Sequence, residues 1–266
     1  MIGQSLPIKE RLNVALVQAD PVWEDWPANQ RYYDGLLSSL TTDVDLVVLP
    51  EMFSSGFTQS PGKVAQSSDG ATVTWMQQQS ARLDCVLVGS VVTQDEDKYY
   101  NRLFWVFPDG STVTYDKKHL FTFAGEHHNY SAGDRQCVVD VYGWKFASFI
   151  CFDLRFPAWC RNTEQQFYDA ALFVASWPES RREHWMALLR ARAIENQAYV
   201  VAVNRVGIDG NDFSYSGDSQ VVDAMGRCQV HLSHQESVHF TQLDKTALTG
   251  IRSQFPFLPE SDPFTL

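Results

Sequence analysis

SFICFDLRFP, residues 148–157, holds an apolar run that stops abruptly at Cys151, after which Phe152, Asp153 and Arg155 follow. The run reads as the end of a buried strand. An inert cysteine would be equally content anywhere inside such a run. A reactive thiol needs the strand end, where the backbone is fixed and a cleft can open.

Two further stretches share this design. In LVVLPEMFSSGF (46–57) a buried run meets Pro50 and then Glu51, and in VTYDKKHLF (113–121) an alternating run meets Lys117 and Lys118. Strand alternation places only one of the two lysines on the inward face. Taken singly, each has a plain alternative: a solvated or capping glutamate, a solvated lysine edge, a buried inert cysteine. Ligand sites of α/β sheets gather beyond strand ends, so a Glu, a Lys and a Cys at three such ends are able to converge on one pocket.

Other short β-branched runs read as strands: NVALVQ (13–18), CVLVGSVV (85–92), AALFVAS (170–176) and AYVVAV (198–203). Helical spacing appears at Tyr33, Leu36, Leu37 and Leu40, and at Trp185, Leu188 and Leu189 within REHWMALLRARAIENQ (182–197). FPDGS (107–111) and AMGRC (224–228) read as hairpin turns. The class is α/β with mixed strand pairing. No linker or repeat divides the 266 residues, so one domain is expected, with the Pro- and Phe-rich tail from about 254 to 266 docking on it or on a partner subunit. The tail points to a homodimer.

A formal charge of -11 and a pI near 5.0 argue against a nucleic-acid or anionic-membrane surface, which needs clustered Lys and Arg. No apolar run approaches the ~18 residues of a membrane span, and MIGQSLPIKERLN lacks the apolar region of a signal peptide. Cys85, Cys137, Cys151, Cys160 and Cys228 form no CxxC pair, which fits neither a disulfide framework nor a zinc site. A cytoplasmic protein without metal or other cofactor is the expectation.

LPEMF (49–53), YDKKHLF (115–121) and ICFDLRFP (150–157), in this order, resemble the three signature blocks of the nitrilase (carbon-nitrogen hydrolase) superfamily. NVALVQADPVWEDWPAN (13–29), ARAIENQAYVVAVNRVG (191–207) and YSGDSQVVDAMG (215–226) extend the resemblance over nearly the whole chain. It implies a single-domain α-β-β-α sandwich, with catalytic Glu51, Lys117 and Cys151, and a second glutamate, Glu126, in FTFAGEHHNYSAGD (121–134) that positions the lysine.

Chemistry gives each group a task. A thiol near its ordinary pKa is mostly protonated at neutral pH and needs a base, here Glu51; the oxyanion that follows attack needs donors, here the Lys117 ammonium and the backbone N–H of Phe152. Phe53, Phe57 and Trp177 follow motif strands and are candidate walls of a substrate pocket, with simple core packing as the alternative. Arg155 reads as a structural ion-pair partner, and Arg181 and Arg182 as a solvated face, with contact to a substrate carboxylate as the alternative. A Cys–His hydrolase using His119, His127, His128 or His184, or a metal at the EHH stretch, lacks a supporting motif.

Within the family, EMFSSGF (51–57), SWPESRREHW (176–185) and the modest length look most like ω-amidases acting on small 2-oxoglutaramate-type amides. The alternatives are another family amidase, an N-carbamoyl hydrolase, or a non-catalytic binding module on the same fold.

Overall fold

In the computed structural model, residues 6–40 and 43–262 are described, so residues 1–5 of the N-terminal stretch and 263–266 of the expected tail lie outside them. Two sheets form, largely one from each half of the chain. The first contains β1 (Arg11–Gln18), β2 (Leu46–Val48), β3 (Val86–Asp95), β4 (Lys98–Val106) and β5 (Thr112–Asp116), and β13 (Ser237–Asp244) returns to complete the order β13-β1-β2-β3-β4-β5. The second contains β6 (Val138–Val141), β7 (Trp144–Ile150), β8 (Ala170–Ala175), β9 (Tyr199–Asn204), β10 (Val206–Ile208) and β11 (Ser214–Val222) in the order β10-β11-β9-β8-β7-β6, with β12 (Cys228–Ser233) on β11. The central strands β1-β2-β3 and β7-β8-β9 are parallel, and the hairpins at FPDGS and AMGRC supply antiparallel pairs.

Side-chain alternation stacks the layers. Along β1, β2 and β4, Leu12, Val14, Leu16, Leu46, Val48, Leu103 and Trp105 enter the core shared with the second sheet. Their neighbours Ala15, Val17, Val47, Phe104 and Val106 pack against helices on the other face. Each fully buried Val or Leu contributes ~1.5–3 kcal/mol. The indole of Trp105 donates to Ser148 Oγ at 2.8 Å, tying β4 to β7 three residues before Cys151.

The outer helix layer of the first sheet is α1 (Trp26–Ser38) and α3 (Ala71–Leu83), with the short α2 (Pro61–Val64) beside them in sequence. Asp25 caps α1 by accepting from Ala28 N–H at 3.0 Å, and Tyr33 and Leu37 are its fully buried face, while Leu40 lies two residues past its end. The helix α3 was not legible: four of its residues are Gln or Ser, its first turns carry β-branched Thr72, Val73 and Thr74, and its buried apolar face reduces to Val73, Trp75, Met76 and Leu83. On the second sheet lie α5 (Arg182–Asn196) and α6 (Lys245–Gln254), the former burying Trp185, Leu189 and Ala193. Helix, sheet, sheet and helix follow one another, the α-β-β-α order that the resemblance implies.

Past α6 the chain turns back onto its own domain: Gln197 Nε2 donates to the Phe255 carbonyl at 2.6 Å, and its Oε1 accepts from Phe257 and Leu258 N–H at 3.3 Å each. No helix among the described residues is long and apolar enough to cross a membrane.

Candidate active site

Three motif ends meet where β2, β5 and β7 finish. Glu51 follows β2 by three residues, Lys117 follows β5 directly and Cys151 follows β7 directly. Glu126 opens α4 (Glu126–Asn129), a single turn in the long connection from β5 to β6. Gly133 lets that connection close over the lysine: it donates to the Lys117 carbonyl at 2.9 Å, and a Cβ there would stand 2.3 Å from the Asp116 carbonyl oxygen.

Glu51, Lys117 and Glu126 are all buried. Lys117 Nζ lies 2.9 Å from Glu51 Oε1 and 3.1 and 3.0 Å from the two oxygens of Glu126. Glu51 also accepts from Asn101 Nδ2 at 2.7 Å on Oε1 and from Ser176 N–H at 2.6 Å on Oε2. Glu126 Oε2 accepts from Phe121 N–H at 2.5 Å. Burial works against the lysine's charge, yet the Glu126 and Glu51 carboxylates outweigh it and hold its pKa above the ordinary range. Burial pushes Glu126 up, with Lys117 opposing. The lysine's direction governs the cluster, because an ammonium between two carboxylates stays charged.

Cys151 has φ +45° and begins a 3-10 turn, Cys151–Arg155. Asp153 fixes this turn from inside: its carboxylate accepts from Ile150 N–H at 3.0 Å, His119 N–H at 2.9 Å and Tyr115 OH at 2.7 Å. Burial drives the thiol well above its ordinary pKa, Glu51 adds to the effect and Lys117 opposes it. The Cys151 thiol therefore rests in its neutral, protonated form.

Cys151 opens onto a cavity of about 360 Å³. Phe57, Phe121, Phe152, Trp177 and Phe213 supply apolar wall, and Gln59, Arg155, Arg181, Ser176 and Asp209 supply polar groups. Phe57 and Trp177 both line this cavity, the Phe57 ring 5.1 Å from Lys117 Nζ. Phe53 does not. Its ring is fully buried between the first sheet and its helices, 5.3 Å from Tyr33 and 5.8 Å from Trp75, because the chain leaves β2 through a turn at residues 51–55 that sends it toward the helix layer.

The arginines also depart from expectation. Arg155 has no carboxylate partner among the described residues; it lies over the Trp177 ring at 4.6 Å and lines the cavity. Burial and the nearby Arg181 charge lower its pKa. Arg181 lines the cavity as well, its guanidinium 5.4 Å from the Phe121 ring, whereas Arg182 points away to Asp218 at 2.8 Å.

Lys118 is half-buried with Nζ over Trp159 at 5.3 Å, outside the carboxylate cluster. His119 accepts no catalytic partner: its ring lies 2.8 Å from Asp153 and stacks on Phe156 at 3.6 Å. His127 and His128 face each other at 3.8 Å, and the described residues contain no cluster of three metal-ligating side chains.

Asn101 and Ser176 were missed. Asn101 sits mid-strand in KYYNRLFWV, where an asparagine is unusual and was the available signal. Ser176 acts through its backbone N–H, which no side-chain reading reveals.

A carbon-nitrogen hydrolase family model matches residues 13–252. The chain is 43% identical over 256 residues to the omega-amidase YafV of Yersinia enterocolitica, spanning 96% of this chain and 98% of that protein. It is 30% identical over 215 residues to the 2-oxoglutaramate amidase of Bacillus subtilis, spanning 80% and 83%. Among solved structures, XC1258 from Xanthomonas campestris, a CN-hydrolase superfamily protein with an arsenic adduct in its active site, superposes with a TM-score of 0.94 at 44% identity, covering 96% of this chain and 99% of that one.

Proposed function

The chain belongs to the carbon-nitrogen hydrolase family, and on that premise we propose that it is an ω-amidase, hydrolysing the terminal amide of a small 2-oxo dicarboxylic acid monoamide, such as 2-oxoglutaramate or 2-oxosuccinamate, to the acid and ammonia. Full-length similarity to one omega-amidase and the match to a 2-oxoglutaramate amidase support the substrate class. The observation that carries it within the molecule is a cavity with a thiol backed by a buried Glu–Lys–Glu cluster and lined by two guanidiniums without a carboxylate partner among the described residues. Arg155 and Arg181 are the groups offered to the substrate's acid end.

In this reading Glu51 takes the Cys151 proton as sulfur attacks the amide carbon. Lys117 Nζ and Phe152 N–H stabilise the oxyanion; one such donor is worth about 10²–10³ in rate. Glu51 returns the proton to the departing nitrogen, the C–N bond breaks, ammonia leaves and a thioester remains. Glu51 then deprotonates the water that hydrolyses the thioester and restores the thiol. Glu126 keeps the lysine charged and in place throughout. No step uses a cofactor.

The cavity also disfavours an amino acid. Asp209, the one carboxylate among the described lining residues, is held by Asn211 N–H at 2.9 Å, Phe213 N–H at 3.0 Å and Tyr215 OH at 2.7 Å, and the guanidiniums of Arg155 and Arg181 outnumber it, so a substrate ammonium would be desolvated against a net positive lining. The five cysteines are free thiols, which supports a reducing cytoplasm as the working compartment, and we extend the proposal to a homodimer.

Steady-state rates on a panel test the assignment. Expected is the highest kcat/KM for 2-oxoglutaramate or 2-oxosuccinamate, with amides ahead of nitriles and glutamine the poorer substrate. A higher value for glutamine, a plain nitrile or an N-carbamoyl amino acid removes the ω-amidase assignment and leaves the Glu–Lys–Cys chemistry standing.

A further inference from the structure

We propose that Asn101 is a positioning residue of the reaction, fixing the carboxylate of Glu51 through its side chain and the start of the Lys117 segment through its main chain; the inference rests on Glu51 being the base. Asn101 is fully buried on β4. Its Nδ2 donates to Glu51 Oε1 at 2.7 Å, and its carbonyl accepts from Lys117 N–H at 3.0 Å. Both the base and the cation are thus indexed to one residue of one strand.

The amide has a defined orientation. Asn101 Oδ1 is buried with no hydrogen-bond partner among the described residues, although a buried polar atom left unpaired typically costs about 1–3 kcal/mol. Rotating the amide by half a turn would aim that acceptor at the Glu51 carboxylate, acceptor against acceptor. The carboxylate therefore dictates which end of the amide faces it, and the orphaned oxygen is the cost of supplying the donor.

That donor constrains Glu51 in a way Lys117 alone does not. Lys117 and Ser176 N–H hold one oxygen of the carboxylate each, and Asn101 adds a second donor on Oε1, so that this oxygen's position is set by two partners rather than by the lysine alone. Without Asn101, Oε1 is left with a single strong partner and tilts toward the lysine, away from the geometry needed for transfer from sulfur. A misplaced general base loses rate at the chemical step rather than affinity.

The test uses Asn101→Leu, close in volume and unable to donate, and Asn101→Asp, close in shape and presenting acceptors, beside Glu51→Gln. Rates are expressed per Cys151 titratable by iodoacetamide, so loss of folded enzyme does not enter. We expect Asn101→Leu to lower kcat by about tenfold or more with KM within about twofold, to slow alkylation of Cys151 comparably, and Asn101→Asp to be at least as damaging. A kcat per titratable site within about twofold of the parent in Asn101→Leu, or an aspartate variant milder than the leucine one, assigns Asn101 to space filling and overturns the proposal. If Asn101→Asp does not fold, the leucine variant's split between kcat and KM decides. Glu51→Gln separates the two ideas: an active Glu51→Gln enzyme sinks the mechanism itself, whereas an inactive one beside a normal Asn101→Leu enzyme sinks only this inference.

Discussion

Cys151 occupies a left-handed backbone conformation, which costs a non-glycine residue about 1–3 kcal/mol and persists only where the surroundings enforce it. Asp153 does the enforcing, with three donors on its carboxylate. Since neither the turn nor its anchor depends on sulfur, Cys151→Ala should abolish turnover while shifting the thermal midpoint little; residual activity above a trace, with contamination excluded, would remove the nucleophile assignment. The lysines separate more sharply. Lys117→Met leaves Glu51 and Glu126 facing each other in a buried site, so it should lose several orders of magnitude in kcat and destabilise the fold by about 3–5 kcal/mol. Lys118→Met forfeits a cation–π contact of about 0.5–1 kcal/mol and should be nearly silent in activity. Equal damage at both positions would contradict the register that places only Lys117 inward.

At the scale of elements, what was legible followed from strand ends. β1, β2, β3, β8 and β9 announced themselves by β-branched runs; Glu51, Lys117 and Cys151 became candidates by breaking such runs, and the resemblance of their blocks to the carbon-nitrogen hydrolase signatures singled them out. Phe53 failed because an aromatic after a strand has no mark for which way the chain turns past Pro50, and α3 failed because its buried face is small and its remaining surface polar. Arg155 was misread for a related reason: the sequence shows a charge but not whether a carboxylate folds opposite it. The start of β3 yields a prediction of its own. Burial pushes the Cys85 thiol, just before that strand, up to about 12 from 9.0. A raised folded pKa means this contribution to stability is intact below about 9 and is lost as pH rises toward about 12. Thermal midpoints measured across that window should fall less steeply in Cys85→Ala, whose activity at neutral pH should match the parent; an unchanged slope would mean that Cys85 ionises as freely when folded as when unfolded.

Across the whole molecule, the proposed mechanism needs both half-chain sheets, because each half holds part of the site. The first supplies Glu51, Lys117 and the clamp from Asn101; the second supplies Cys151, the Ser176 N–H and the arginine wall, and Trp105 and Ser148 bind the two layers beneath the site. The ω-amidase account therefore predicts one covalent species that only the assembled site can make. Enzyme mixed with saturating 2-oxoglutaramate, quenched in acid within the first turnovers, digested and mapped by mass spectrometry should carry an acyl group equal to the substrate less ammonia on the peptide containing Cys151, appearing with the burst of ammonia and absent in Cys151→Ala. Ammonia released at full rate with no such adduct on Cys151, or with the adduct on Cys85, Cys137, Cys160 or Cys228 instead, would contradict it.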